Sequence, residues 1–296
     1  MANPLPAHIT GPVVVLVVAA SFACNTALAA ISYAHGATPL SVLTYRTTLA
    51  FVVLAAVLAL SRPAEPLPGR LRLVCLGLGF IVAGYSFGLL GAIAHIPVAL
   101  AVLTFYLYPL FVGIGAWLTG QERMTWPTAA QLLVAFAGLG LALDVGGGQL
   151  NLRGFGLAVG AALLFTLLLL INGRILQGRD SRPVSLHMLA MGAAIYWLAD
   201  LAMGEFPLPQ TPIGMAAFFG AGIFYTFSFI TMFIAVGMIG PLRVALFLNF
   251  EPVTSVMLGI VLLGQPMTAL QLLGAALVVA AIVWAAWSKA RQTDPI

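Results

Sequence analysis

The chain has 296 residues, of which 62% are hydrophobic and only 7% charged, with a net charge of +4. A soluble domain carries roughly 25% charged residues, and a mean hydropathy of +1.09 excludes a surface solvated mainly by water. The expected fold class is therefore an all-α membrane protein whose surroundings are largely lipid bilayer.

The apolar runs have the length a bilayer demands, about 20 residues each, and short polar or Pro/Gly-rich breaks separate them. Ten transmembrane helices are expected, over residues 12–33, 40–60, 71–93, 98–119, 127–144, 154–174, 184–203, 212–236, 241–263 and 268–287. Barrel strands would be about ten residues long with alternating polarity, which this pattern lacks.

The first run ends in ALAA at 27–30, which imitates a signal cleavage site, but no Lys or Arg precedes it and it is longer than a signal core. Cys24 and Cys75 lie inside runs and read as small apolar side chains. Asn25, beside Ser21 and Thr26, suits either a hydrogen bond to a neighbouring helix or a substrate carboxylate. In the second run Arg46 lies about two turns below the outer edge, as a structural anchor or as a gating group that attracts an anion.

The third run carries a glycine strip, Gly77, Gly84, Gly88 and Gly91, and the spacing Gly84-x-x-x-Gly88 permits close helix packing. Tyr85 in this run, Tyr106 and Tyr108 in the fourth, and Tyr225 and Phe229 in the eighth fall well away from the interfacial belts. A buried tyrosine offers an apolar face with one polar tip, so these tyrosines are candidate substrate-binding residues as well as packing groups. His187 in the seventh run is the one histidine placed to titrate inside a span, as a packed polar residue or a coupling group. The fifth and tenth runs hold almost no polar residue beyond their QLL starts; they read as scaffold or dimer surface in a monomer or weak homodimer. Trp284 and Trp287 fit an interfacial belt.

The ninth run contains Glu251 followed by Pro252. With the helix starting near Pro241, Glu251 lies about 15 Å in, close to the centre of a hydrocarbon slab of about 30 Å. A carboxylate there costs several kcal/mol unless it finds a partner or takes up a proton. Glu251 is therefore either a protonated or backbone-bonded packing group, or a cavity group that binds a substrate ammonium or exchanges a proton. Pro252 lacks an N–H, which leaves the Leu248 carbonyl without its helical donor and favours a kink; Tyr108-Pro109 does the same in the fourth run. Pro109 and Pro252 are thus candidate gating positions. Asn249 lies about 160° around the helix from Glu251 and is expected to face different surroundings.

Basic residues fix the orientation. With the N-terminus inside, the cytoplasmic side holds Arg62, Arg70, Arg72, Arg123, Arg174, Arg179, Arg182, Lys289 and Arg291, against Arg153 on the other side. That bias puts both termini in the cytoplasm. It also reads the positive charge as topology, with no nucleic-acid surface.

The sequence repeats itself. TAAQLL at 128 returns as TALQLL at 268, an offset of 140; YPLFVGIGAWLTGQ from 108 faces EPVTSVMLGIVLLGQ from 251, an offset of 143; PLSVL at 39 faces PVSLH at 183, an offset of 144. Two units are expected, residues 1–148 and 149–296. Five spans in each make the second unit enter the membrane from the opposite face, which gives two inverted five-helix repeats around a central cavity, related by a rotation of about 180° about an axis in the membrane plane.

Thr44-Tyr45-Arg46, AIAHIPVALAVLTFYLYPLF before and through the fourth run, and FEPVTSVMLGIVLLGQPMTALQLLGAALVVAAIV in the second half carry a family resemblance. The chain resembles the ten-helix EamA-type branch of the drug/metabolite transporter superfamily over residues 12–287. The resemblance implies a metabolite exporter with a small-molecule substrate, and bacterial amino-acid exporters of the inner membrane, including those for aromatic amino acids, are the members it looks most like. Export of purine-like or cationic drug-like solutes is the alternative. Family members usually carry Gly-Glu after the fourth and ninth helices, where this chain has Gly120-Gln121-Glu122 and Gly264-Gln265.

Catalytic motifs are lacking: the sequence has no H-E-x-x-H, G-x-S-x-G or P-loop and no His/Cys cluster with metal spacing. No enzyme activity, cofactor or metal is expected. A channel would show a continuous polar stripe or charged ring, whereas the polar residues here gather near the midplane.

Overall fold

The computed structural model describes residues 7–61, 67–93, 95–96, 98–143, 151–263 and 268–293. Among them the regular structure is helical: α1 Ala7–Ala34, α2 Pro39–Leu60, α3 Gly69–Ile93, α4 Val98–Phe105, α5 Tyr108–Leu118, α6 Trp126–Ala142, α7 Leu152–Ile175, α8 Ser181–Met203, α9 Pro212–Ile239, α10 Pro241–Leu248, α11 Phe250–Leu263 and α12 Ala269–Thr293. Seven stretches are long and apolar enough to cross a membrane, one of them, Leu100–Leu118, running through α4 and α5. Trp126–Ala142 and Ala269–Ala285 are shorter apolar helices. The chain is a membrane-embedded, multi-pass protein.

Helix starts follow local chemistry. Thr38, Thr125 and Thr211 are extended N-cap residues whose hydroxyls accept from the backbone three residues on, and each helix has proline in its first two positions, where the missing N–H is not needed. Between α9 and α10 the link is the single residue Gly240, held at φ 84°, a left-handed conformation that only glycine adopts without strain.

Asp180 caps α8. It accepts from the Arg182 backbone N–H at 2.9 Å and from the Arg182 guanidinium at 2.6 and 3.0 Å, and this charge-assisted bonding holds its carboxyl below the usual carboxylate range. The stabilisation is present at neutral pH, above the ordinary carboxylate value, and is lost as pH falls through the lowered one. Asp180→Ala is expected to cost about 1 kcal/mol, mostly the cap because the pair is part-exposed. Melting curves of wild type and variant should converge on acidification.

Packing exchanges the two halves. α1 lies on α9 as α3 lies on α7; α2 lies on α9 as α8 lies on α3; α1 meets α11 as α7 meets α5; α1 meets α10 as α7 meets α4. The pairs α2–α8 and α6–α12 map onto themselves.

Contacts also give direction. Gly11, at the start of α1, packs on Ile239 at the end of α9. Beside it, Leu242 at the start of α10 donates to Glu122, just beyond α5, and Thr119 at the end of α5 accepts from Arg174 at the end of α7. The start of α1 and the end of α7 therefore share one face, so the first helices of the two halves run in opposite directions. Arg182 at the start of α8 bonds Ser61 at the end of α2 at 2.8 Å on that same face. Arg123, Arg174, Arg179 and Arg182 collect there, whereas Arg153 lies at the other end of α7. The first is called the basic face below; Arg62 lies outside the described residues.

α6 and α12 meet backbone to backbone. A Cβ on Gly138 would stand 2.8 Å from the Gly274 carbonyl oxygen, and one on Gly274 would meet the backbone of Gly138 and Ala142. Backbone cannot step aside as a side-chain tip can. Gly274→Ala is expected to destabilise by about 1–3 kcal/mol, while Gly156→Ala, with nothing within 4 Å of its added Cβ, should leave the melting temperature unchanged.

Candidate functional site

The expected kinks appear as interruptions of the helical bonding at the same place in each half, with the linking residues Leu107 and Asn249 still in right-handed helical backbone. α4 gives way to α5 at Tyr106-Leu107, where Leu107 N–H closes a tight turn on the Thr104 carbonyl at 3.1 Å. α10 gives way to α11 at Asn249, whose N–H bonds the Leu246 carbonyl at 3.2 Å. Pro109 and Pro252 then sit in the first turns of α5 and α11, positions that ask for no proline N–H. The freed backbone of α10 is served by Asn249, whose amide donates to the Ala245 and Leu246 carbonyls at 3.3 and 2.9 Å. Asn249 therefore satisfies backbone carbonyls of α10 ahead of the break.

Around the first break lies an aromatic cluster. Phe165 of α7 meets Tyr108 edge-on at 4.8 Å between centroids and Tyr85 of α3 at 5.0 Å. Phe105 lies 5.5 Å from Phe165 and 5.4 Å from Tyr108, and Tyr106 lies 5.5 Å from Tyr108. A second string, Phe22 of α1 with Tyr225 and Phe229 of α9, approaches from the other side. Tyr85 is in electrostatic reach of Tyr225 and Arg46, which joins the two.

Arg46 stands over this junction. Its guanidinium carbon is 4.3 Å from the centre of the Tyr225 ring, a cation–π distance. With the Asn25 amide turned so that both of its ends find partners, Asn25 donates to the Ala221 carbonyl at 3.1 Å and accepts from Arg46 Nη1 at 3.3 Å. Asn25 thus ties α1 to α9 and holds the arginine. Arg46 Nε is buried without a hydrogen-bond partner among the described residues.

Glu251 enters the cluster from α11. It interacts with the hydroxyl of Tyr106 and lies near Tyr108, with Arg46 in electrostatic reach. No ion pair joins them: among the described residues the pair within 4.0 Å is Asp180 with Arg182. A half-buried cation and a half-buried carboxyl therefore stand on neighbouring aromatic groups with no ion pair between them.

Of the residues expected at a site, Asn25, Arg46, Tyr85, Tyr106, Tyr108, Tyr225 and Glu251 come together. His187 does not; its Nδ1 bonds the Pro183 carbonyl of its own helix at 2.7 Å. Gly84, Gly88 and Gly91 of the glycine strip face Leu164, Ala161 and Leu157 of α7, while Gly77 faces open space. Three features are legible only in three dimensions: Phe165 at the heart of the cluster, Phe105, and a buried bond in which Thr44 Oγ1 donates to Asp200 Oδ2 at 2.5 Å between α2 and α8. An apolar groove of about 390 Å³ between α2 and α9, lined by Leu49, Val53, Ile223, Phe227 and Ile230, opens on the lipid side, with Ile223 63% exposed; it is separate from this site.

The sequence profile of the EamA-like transporter family matches residues 9–143 and again residues 152–287. The chain belongs to the EamA-like transporter family. Two matches of one profile fit the duplication read from the sequence, and EamA proteins are membrane transporters of small solutes, which accords with a chain free of enzyme motifs. A solved crystal structure shares the fold, with a TM-score of 0.75 over 93% of this chain and 98% of that one at 19% identity. No curated protein matches the sequence.

Proposed function

We propose that this EamA transporter exports amino acids with apolar or aromatic side chains across a bacterial inner membrane by alternating access. Ten spans are counted by joining α4 to α5 and α10 to α11, as two inverted repeats over 1–148 and 149–296 with both termini and the basic face in the cytoplasm. The observation that carries the reading is the separated pair, Arg46 and Glu251, on one aromatic cluster.

An amino acid presents the complementary set of groups. Its carboxylate meets the Arg46 guanidinium, whose Nε is without a partner among the described residues, supported by Asn25. Its ammonium meets Glu251 and the Tyr106 hydroxyl, and its side chain lies among Tyr85, Phe105, Tyr108 and Phe165. A cationic drug-like solute could meet Glu251 but would leave the Arg46 guanidinium without an anion.

Gradient-driven exchange in proteoliposomes tests the reading with labelled amino acids, nucleosides and quaternary amines. Exchange of phenylalanine- and leucine-like solutes is expected. Exchange of nucleosides or quaternary amines with no amino acid moved would overturn it.

A further inference from the structure

A second cluster joins the halves on the basic face. Glu122 Oε1 accepts from the Leu242 backbone N–H at 3.2 Å, at the start of α10. The approach depends on glycines: Gly240 is at φ 84°, and a Cβ there would collide with the Glu122 carboxylate. A Cβ on Gly173 of α7 would stand 2.9 Å from Gln121 Oε1 and 2.8 Å from the Pro241 ring. Arg174 Nη2 then donates to the Thr119 carbonyl at 3.0 Å. Residues 119–122 of the first half are thus seated between α7 and the α9–α10 junction of the second.

We propose that Glu122 is a positioning residue that fixes α10 and, through it, the Asn249–Glu251 break at the candidate site. α10 has eight residues, about 12 Å of helix, with the carboxylate at one end and the break at the other. A carboxylate at a helix start satisfies an orphan N–H and complements the helix dipole. Release of the Glu122 contact loosens the start of the half-helix while its buried side chains stay packed. In the sequence the second half follows the equivalent helix with Gly264-Gln265-Pro266 and no acidic residue, so the anionic member belongs to the first half alone. This inference goes beyond the transport reading and holds whatever the solute is.

Hydrogen–deuterium exchange of the full chain in lipid nanodiscs, with no solute present, tests it. Glu122→Ala should speed amide exchange over residues 241–251 by about 2- to 30-fold, the span of a lost cap, while residues 98–108, the equivalent stretch of the first half, stay at the wild-type rate. Glu122→Gln keeps an acceptor oxygen and should restore most of the protection; if the alanine variant does not fold, Glu122→Met, of similar bulk but with no acceptor oxygen, takes its place and should show the same rise over 241–251. Unchanged exchange over 241–251, or an equal rise over 98–108 with a fall in melting temperature, would overturn the positioning role.

Discussion

Replacing Arg46 by Met is expected to lower amino-acid exchange by roughly 30- to 150-fold, the equivalent of about 2–3 kcal/mol for one charge-assisted carboxylate contact. Arg46 supplies a planar fork of donors, of which Nη1 is taken by Asn25 and Nε has no partner among the described residues. Methionine keeps the apolar stem beside Tyr225 but offers nothing to an anion. Arg46→Lys keeps the charge and loses the fork, so it should recover only part of the rate. Initial exchange rates in proteoliposomes, with melting temperatures recorded alongside, check this. An unchanged rate in a folded Met variant would remove Arg46 from recognition and leave it as a helix anchor.

Glu251→Gln is expected to cut exchange by about tenfold or more with little effect on stability, because glutamine keeps the shape and a contact to Tyr106 while losing the charge that meets an ammonium. Asn249 bonds the Ala245 and Leu246 carbonyls at the α10–α11 break, so Asn249→Ala should cost about 1–3 kcal/mol of stability and lower the melting temperature, and Glu251→Gln should not. If the Gln variant melted early and exchanged normally, the carboxyl would be structural and the aromatic cluster the principal recognition element.

Much of this site could be seen in the sequence because bilayer physics makes polar residues conspicuous. Asn25, Arg46 and Glu251 stand out within apolar runs, and Pro109 and Pro252 mark the helix breaks, since a missing N–H disrupts the ladder wherever it falls. The repeat offsets of 140 to 144 anticipated two related halves. Phe165 stayed hidden because a phenylalanine in a run of leucines carries no local signal. Asp200 lies in the last turn of α8, where a carboxylate reads as interfacial, and its partner Thr44 is 156 positions away. The Glu122–Leu242 contact spans 120 positions. His187 is as conspicuous in the sequence, and its ring bonds the Pro183 carbonyl of its own helix, as a packed polar residue does.

The pairing of Arg46 and Glu251 across one aromatic cluster is tested most directly by equilibrium binding to the purified transporter of three probes of one shape: phenylalanine, phenethylamine and 3-phenylpropionate. Each probe shares the ring; one has both charges, one only the ammonium and one only the carboxylate. Phenylalanine is expected to bind at least about 30-fold more tightly than either singly charged analogue, with that advantage lost in Arg46→Met and Glu251→Gln. Equal binding of phenylalanine and phenethylamine, unaltered by Arg46→Met, would contradict a zwitterion site.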